Sequence, residues 1–282
     1  MRDAQASPTP ASETRFAQIE IRGRRVELEY AWVLPENPGP LLVFLHEGLG
    51  SLKMWRGFPR SLCAAAGARG LVYSRAAYGE SSPFWPDDHW PLDFMHVEAR
   101  ELLPGLLAAL GVDPATEPPI LLGHSDGASI ALIHAASFPG KVEAVIAMAP
   151  HIFVESIGLE SIAETRRRFL DDDLGRRLGK YHQDVQRVFW GWANIWMHPE
   201  FPSWEIRSLL RHIRCPLLLL QGYDDVYGTM AQIEGIAALT AATTVKLENC
   251  GHSPHVDQPQ QVIEAVCRFL APRREPKLRD RQ

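Results

Sequence analysis

The chain of 282 residues is long enough for one large α/β domain with an insertion. Its formal net charge of −5 gives no reason to expect nucleic acid or an anionic membrane as a partner. The first residues hold no apolar leader segment, and no stretch approaches the length of a membrane span. We therefore expect a cytoplasmic protein that acts on a small molecule, with no nucleic acid and no membrane as partner. Composition gives no oligomeric state.

The first half of the chain predicts a hairpin followed by alternating strands and helices. FAQIEIRG and RRVELEYAWVL predict two antiparallel strands. The apolar strand LLVFLH comes next, and Met54, Phe58 and Leu62 then mark a helix with an apolar stripe. GLVYSR predicts another strand. FMHVEARELLPGLLAAL predicts another helix, which Pro104 should kink or split.

The second half continues the alternation. Strands are predicted at 119–122 and in VEAVIAMAP, CPLLLLQG and TTVKLE, and helices at 128–137 and in MAQIEGIAALTA. DQPQQVIEAVCRFL predicts the last helix, with Asp257 as its N-cap and Pro259 in its first turn. Strands that alternate with helices predict a mostly parallel, doubly wound sheet, which here begins with an antiparallel hairpin.

Composition along the chain divides it into a core, an insertion and two tails. Residues 1–14 are predicted to be disordered, and residues 273–282 form a charged, solvated tail. Residues 151–210 interrupt the alternation of strands and helices and predict an inserted helical cap. The core then consists of residues 15–150 and 211–272.

The four cysteines do not predict a metal site or a disulfide framework. Cys63, Cys215, Cys250 and Cys267 are scattered, without CxxC or metal-ligand spacing. We expect reduced thiols that serve packing and no bound metal.

A GxSxG pentapeptide, GHSDG at residues 123–127, lies where a buried strand ends and a helix begins. A sharp turn of this kind brings backbone segments very close, and glycine at both ends meets that steric demand. The turn presents the hydroxyl of Ser125 at the carboxyl edge of the sheet, beside a helix N-terminus that stabilises negative charge. The alternative is an ordinary strand-to-helix turn with serine as N-cap.

Other polar residues follow separate predicted strands. HEGLG (46–50) follows the third strand, Asp224 and Asp225 follow LLLLQG, and His252 follows VKLENCG. Sites in such sheets lie beyond the carboxyl ends of the strands. A serine needs a base to take its proton, and the base needs a carboxylate to fix its tautomer. The chain offers serine, acid and histidine in that order.

These features together resemble the α/β-hydrolase family. The resemblance covers about residues 16–271 and includes GHSDG, HEGLG, SRAAYGESS and GHSPHVDQP. It implies an α/β-hydrolase fold with a cap inserted after the sixth strand. It also implies that Ser125 is the nucleophile, His252 the general base, and one of the adjacent aspartates the third member of the triad.

The family pattern selects among the neighbouring candidates. It places the acid three residues after the glycine that ends the strand, which favours Asp225 and leaves Asp224 as a turn residue. The catalytic histidine of the family directly follows a glycine, which favours His252 and leaves His255 as a local support.

The resemblance also implies an oxyanion hole, formed by the backbone N–H groups of Asp126 and Gly48. Glu47 departs from the family pattern, because glycine is usual at its position. A carboxylate directed into the hole would oppose the charge that forms there. We expect Glu47 to turn away or to be paired in a buried structural ion pair, with Arg75 as the candidate partner.

Aromatic residues concentrate in the predicted cap. Trp190, Trp192, Trp196 and Trp204 are half of the chain's eight tryptophans. They either form the cap's own small core or line a pocket. Aromatic walls suit a bulky or apolar substrate moiety, so Trp190, Trp192 and Trp196 are the candidate substrate-binding residues.

The expected function is that of a serine hydrolase that cleaves a carboxylic ester or lactone through an acyl-enzyme on Ser125, with a bulky or apolar substrate that includes macrocyclic lactones such as macrolides. No metal or organic cofactor is implied. A cofactorless C–C bond hydrolase or an acyltransferase would use the same triad. A non-catalytic ligand-binding receptor of the same fold is the alternative from another class, although such receptors often lack a triad member.

Overall fold

Eight strands form a single sheet in the computed structural model, which describes residues 13–85 and 90–271. The strands are β1 (Arg15–Ile21), β2 (Arg24–Val33), β3 (Leu41–Leu45), β4 (Arg69–Tyr73), β5 (Ile120–His124), β6 (Ala144–Met148), β7 (Leu217–Gly222) and β8 (Ala242–Leu247). Their order across the sheet is β1-β2-β4-β3-β5-β6-β7-β8. The strands from β4 to β8 pair in parallel, whereas β2 is antiparallel to both β1 and β4. The predicted parallel sheet with an antiparallel opening is therefore confirmed.

Helices cover both faces of this sheet. They are α1 (Phe58–Ala66), α2 (Phe94–Val97), α3 (Leu103–Ala109), α4 (Asp126–Ser137), α5 (Ser156–Asp171), α6 (Leu174–Leu178), α7 (Val185–Trp196), α8 (Arg207–Leu210), α9 (Ala231–Ala237), α10 (Pro254–Asp257) and α11 (Pro259–Leu270). None of the helices in the described part of the chain has the length and apolar character that crossing a bilayer requires.

The central strands are apolar throughout because both of their faces are buried. In β3, Leu41, Val43 and Leu45 join the core on one side, and Leu42 and Phe44 join the core on the other. Residues two apart share a face of a strand. A strand covered on both sides therefore needs apolar residues at every position, which explains the run LLVFL.

Two helix boundaries differ from those predicted. Met54 lies outside α1, in a separate 3-10 turn at Leu52–Trp55, because Arg56 has a positive φ of 52° and ends that turn. At the last helix the N-cap is Gln258, and Asp257 instead ends α10 and accepts a hydrogen bond from the N–H of Gly251 at 2.9 Å. The predicted position of Pro259 in the first turn is confirmed.

The helix that contains Pro104 is divided, as predicted. A π-helical segment at Glu98–Leu102 separates α2 from α3, and Pro104 lies in the first turn of α3. Proline has no N–H, and its ring clashes with the carbonyl four residues earlier. The wider π turn before it accommodates both effects.

Helices α5 to α8 lie between β6 and β7, in the segment 151–210 where the sequence predicts a cap. A single antiparallel bridge between Phe153 and Glu205 joins the two ends of this segment. Inside it, the rings of Phe169 and Phe189 stack 3.6 Å apart. The predicted disordered residues 1–14, apart from 13 and 14, and the predicted tail 273–282 lie outside the described residues. None of the four cysteines, all of which are described, forms a disulfide.

Candidate active site

Ser125 occupies a strained turn between β5 and α4. Its φ of 53° and ψ of −120° lie outside the regions that residues with a Cβ usually adopt. A Cβ on Gly123 would lie 2.3 Å from the carbonyl oxygen of Gly127, and a Cβ on Gly127 would lie 2.1 Å from that of Leu45. Only glycine fits at these two positions, which confirms the steric prediction made from GHSDG.

Ser125, His252 and Asp225 come together at the carboxyl edge of the sheet. The Oγ of Ser125 is 2.9 Å from Nε2 of His252, and Nδ1 of His252 is 2.9 and 2.8 Å from the two carboxylate oxygens of Asp225. Asp225 is buried, so its charge is poorly screened by solvent. The arrangement lets Nδ1–H of His252 donate to Asp225 while Nε2 accepts from the serine hydroxyl.

Asp225 is fixed in place by three further donors. The side-chain amide of Gln221 donates to Oδ2 at 2.7 Å, and the N–H groups of Tyr227 and Gly228 donate to Oδ1 at 2.8 and 3.3 Å. Burial acts to raise the pKa of this carboxyl, but the hydrogen bond and charge of His252 and the Tyr227 N–H outweigh burial and hold the pKa below its usual range. Asp224 is exposed and makes no contact of this kind.

Two neighbours hold the loop and ring of His252. The imidazole of His124 donates from Nε2 to the carbonyl oxygen of His252 at 2.6 Å. The ring of Tyr227 lies 4.7 Å from the His252 ring, and its hydroxyl is hydrogen-bonded to Thr165 of α5. His255 is buried against Trp55 and His124 and serves as packing at this site.

Gly48 and Asp126 both line the cavity into which Ser125 opens. Among the residues that the structure describes, neither backbone N–H has a hydrogen-bond acceptor. The Gly48 loop is held from behind, because the hydroxyl of Tyr78 donates to the Gly48 carbonyl at 2.8 Å. A Cβ on Gly48 would lie 2.1 Å from Nε1 of Trp192, so any larger residue here would displace the Trp192 ring.

Glu47 is paired with His124, not with Arg75. Its carboxylate lies 3.4 Å from Nδ1 of His124, whereas Arg75 donates only to the Glu47 carbonyl, at 2.9 Å. The predicted partner was therefore wrong, although the carboxylate is paired as expected. Burial opposes ionisation of Glu47, but the hydrogen bond and charge of His124 hold its pKa well below the usual range. In turn, Glu47 outweighs the effect of burial on His124 and raises the pKa of that imidazole.

Arg75 instead neutralises a buried carboxylate cluster behind the serine turn. It is fully buried and lies 3.7 Å from the carboxylate of Asp126, with its guanidinium 4.4 Å from the centre of the Tyr78 ring. Burial raises the pKa of Asp126 to about 6 and that of the nearby Glu98 to about 7, and in both cases the charge of Arg75 opposes the rise. One cation thus serves two buried carboxyl groups.

The cavity has a volume of about 220 Å³. Trp192 and Trp196 line it, together with Leu49, Ile162 and the ring of Tyr227. Trp190 does not, because residues 192 and 196 are four apart and share one face of α7, whereas residue 190 lies on another face. There its ring packs against Phe169 and Phe189, and its indole N–H donates to Gln186.

Sequence reasoning missed His151 and Tyr227 as cavity residues. His151 directly follows the strand VEAVIAMAP, so the strand-end rule that selected Ser125 would have found it. Tyr227 carries no such pattern, because it enters the site through the turn that its own N–H makes with Asp225. Within residues 13–85 and 90–271, no group of three or more His, Cys, Asp or Glu side chains is arranged to hold a metal ion.

The mostly parallel eight-stranded sheet, with a strand–serine–helix turn at its edge, defines the α/β-hydrolase class of fold. The sequence from residue 42 to 265 matches the model of the alpha/beta hydrolase family, and the chain belongs to that family.

Individual relatives are distant. The chain is 26% identical over 280 residues to an sn-1-specific diacylglycerol lipase, ABHD11, of Mus musculus, with 88% of this chain and 86% of the lipase covered. A thermophilic esterase from Thermogutta terrifontis is 21% identical with a TM-score of 0.70, over 93% of this chain and 99% of the esterase. An enol-lactonase from Burkholderia xenovorans LB400 is 18% identical with a TM-score of 0.69, over 91% of this chain and the whole lactonase. Because the esterase and the lactonase are only 21% and 18% identical to this chain, their structures show that the fold is shared.

Proposed function

We propose that this protein is a serine hydrolase that cleaves a carboxylic ester or lactone through an acyl-enzyme on Ser125. The observation that carries the proposal is the continuous hydrogen-bonded path from Ser125 through His252 to Asp225. The family membership supports hydrolysis. The esterase, lactonase and lipase among the similar proteins favour an ester bond over the other bonds that this fold cleaves.

Catalysis begins when the hydroxyl of Ser125 attacks the ester carbonyl while Nε2 of His252 takes the hydroxyl proton. Asp225 holds Nδ1–H, which fixes the tautomer and stabilises the imidazolium that forms. His252 then gives the proton to the leaving alcohol. A water molecule, activated by the same imidazole, hydrolyses the acyl-enzyme and restores Ser125.

The negative charge on the carbonyl oxygen needs donors that are in place before reaction. The N–H groups of Gly48 and Asp126 meet this need, because both line the cavity beside Ser125 and neither has an acceptor within the described chain. Glu47 also lines the cavity, but its carboxylate is paired with His124, which offsets its negative charge.

The enclosed part of the substrate is compact. A cavity of about 220 Å³ is roughly one and a half times the size of an engineered cavity of about 150 Å³ that binds benzene. It holds one ring or a short acyl chain, and a macrocyclic lactone would extend beyond it. Apolar walls from Trp192, Trp196 and Ile162 suit such a group.

Hydrolysis of 4-nitrophenyl acetate and butanoate by the wild-type protein and by Ser125→Ala tests the proposal. We expect turnover in the wild type and a loss of at least about 10³-fold in the variant, because the nucleophile is absent. Ser137→Ala is the matched control. Ser137 is the last residue of the same helix, and its hydroxyl accepts a hydrogen bond from Arg100, outside the site. Equal turnover in Ser125→Ala and wild type would refute the proposal, as would the absence of turnover of any ester.

A further inference from the structure

The imidazole of His151 lies in the wall of the cavity but has no part in the proton transfers described above. It follows β6, and its ring centre is 5.8 Å from that of His252 and 5.1 Å from that of Trp196, in an edge-on contact. The side chain is 5% exposed, and the cavity accounts for this exposure. Its position is therefore next to, and not within, the path from Ser125 to Asp225.

The backbone of His151 is held rigidly. Its N–H donates to the hydroxyl of Ser129 at 3.0 Å, and its carbonyl accepts from the same hydroxyl at 2.7 Å. Beside the ring, a Cβ on Gly228 would lie 3.3 Å from Cε1 and 3.6 Å from Nδ1 of His151, so the glycine leaves just enough room for the imidazole. The anchored backbone and this close approach limit the positions that the ring can take.

The ring nitrogens of His151 have no hydrogen-bond partner in the described part of the chain, and neither is fully enclosed by protein. For a side chain that is 95% buried, their accessible surface faces the cavity. Buried polar groups are nearly always hydrogen-bonded, because leaving one unpaired costs about 1–3 kcal/mol. The arrangement is that of a binding group whose partner arrives with the ligand.

The imidazole is neutral at physiological pH. Burial, together with the charges of His252 and His124, lowers the pKa of His151 to about 3, although the charge of Asp225 opposes the shift. A neutral imidazole offers one N–H donor and one lone pair. The described residues that line the cavity include no lysine or arginine, and the imidazole of His124 there is already paired with the Glu47 carboxylate. The site therefore provides no unpaired cation for a carboxylate or phosphate on the substrate.

We propose that His151 is a substrate-binding residue that hydrogen-bonds a neutral oxygen of the substrate, a hydroxyl, ether or second carbonyl, a few bonds away from the ester that is cleaved. This inference rests on the proposed ester hydrolysis. It defines the substrate class as an uncharged, oxygen-substituted ester instead of a plain hydrocarbon ester.

Paired esters that differ by one oxygen test the inference. Phenyl methoxyacetate and phenyl butanoate have the same shape on the acyl side, and 2-methoxyethyl acetate and butyl acetate have the same shape on the alcohol side. For each pair, the ratio of kcat/KM is measured in the wild type and in His151→Phe. We expect the variant to lower the ratio for the oxygen-containing ester about three- to tenfold in at least one pair, which corresponds to one neutral hydrogen bond.

A control variant, a rescue variant and a replacement variant make the result of this measurement unambiguous. His255→Phe removes an equally buried imidazole that is not part of the cavity wall, and it should leave both ratios unchanged. His151→Gln retains a donor and an acceptor and should restore part of the preference. His151→Leu replaces the phenylalanine variant if that variant does not fold, as judged by its melting temperature.

Equilibrium binding separates this inference from the proposed function. In a Ser125→Ala background, dissociation constants for the same pairs are measured from the change in total tryptophan fluorescence, to which Trp192 and Trp196 in the cavity wall contribute. Adding His151→Phe should weaken binding of the oxygen-containing ester about three- to tenfold relative to its hydrocarbon partner. Absence of turnover in the wild type would refute the hydrolase proposal while this binding ratio still tests His151. Ratios that His151→Phe leaves unchanged in both pairs, in turnover and in binding, would overturn the inference.

Discussion

The carboxylate of Glu47 lies 3.4 Å from Nδ1 of His124, and this contact ties the loop that carries Gly48 to the turn that carries Ser125. His124 also donates to the carbonyl oxygen of His252. One side-chain pair therefore connects three of the loops that build the site, although neither of its members takes part in the proposed chemistry.

Glu47→Gln should lower stability more than activity, and the loss should depend on pH. The folded-state pKa of Glu47 is depressed, so its contribution is present above its ordinary pKa and is lost as pH falls toward the folded value. The pKa of His124 is raised, so its contribution is complete below about pH 6.5 and is lost as pH rises through the folded value. Urea unfolding should show a loss of about 1–3 kcal/mol near pH 6 and a smaller one at pH 9.

Glu80→Gln is the control for this measurement. Glu80 pairs with Lys53 on the surface, where both side chains are nearly half exposed, and its loss should change stability by less than about 1 kcal/mol. A large fall in turnover by Glu47→Gln, with the unfolding curve unchanged, would contradict the structural role of this pair.

Asp225→Asn should abolish most activity and Asp224→Asn should not. Of the two aspartates, Asp225 is the one hydrogen-bonded to His252, and an amide there no longer holds the imidazole in the tautomer that accepts the serine proton. We expect kcat to fall on the order of 10⁴-fold. Asp224 is exposed, so its variant should change kcat by less than about threefold. Similar losses in the two variants would reassign the acid of the triad.

Glu98→Gln should make stability less sensitive to pH. Burial raises the pKa of Glu98 to about 7, so the folded state binds its proton more tightly than the unfolded state does. Wild-type stability therefore falls as pH rises from about 4.5 to about 7. Above that range Glu98 is ionised, and the stability that its bound proton provided is lost. Relative to wild type, the variant should gain about 1–3 kcal/mol between pH 5 and pH 8.

If Glu98→Gln also weakens packing, the same loss of unfolding free energy applies at every pH. It therefore does not affect the prediction, which concerns only how the difference between variant and wild type changes with pH. Glu101→Gln is the control, since Glu101 lies on the same stretch but is partly exposed and pairs with Arg22. Parallel pH profiles for wild type and Glu98→Gln would contradict the raised pKa.

The size of the cavity predicts the acyl chain that the enzyme prefers. Among 4-nitrophenyl esters from acetate to dodecanoate, kcat/KM should be highest for short chains, because the cavity of about 220 Å³ cannot enclose a long one. Ile162 is buried in the wall, and Ile162→Ala should move the optimum toward longer chains as it enlarges the space. Trp190→Phe, outside the cavity, should leave the optimum in place. An optimum at dodecanoate in the wild type would contradict a substrate site of this size.

The strand-end residues could be predicted from sequence because local pattern determines them. GHSDG between an apolar run and a helix needs both glycines for backbone contact, and the structure places them there. The spacing from Gly222 selects Asp225, whose carboxylate reaches His252 across the sheet edge. The two glycines follow from the geometry of a turn next to a strand, whereas the choice of Asp225 over Asp224 follows from the resemblance to the α/β-hydrolase family.

Contacts between distant segments could not be predicted in the same way. Glu47 reaches His124 and not Arg75, a choice made by the packing of two loops that no local pattern encodes. Trp190 and Trp192 have the same residue type in one aromatic run, and only the rotation of α7 over the sheet decides which faces the cavity. The choice of Gln258 over Asp257 as N-cap is a local one that the pattern also missed, since Asp257 ends α10 and accepts a hydrogen bond from the N–H of Gly251.

Labelling by a fluorophosphonate tests the central claim most directly, because the reagent reacts with a serine that a base has activated and does not depend on the natural substrate. The account predicts one label per wild-type chain, located by peptide mass mapping on Ser125, no label in Ser125→Ala, and much slower labelling in His252→Ala. A wild-type protein that stays unlabelled, or a label that persists in Ser125→Ala, would contradict it.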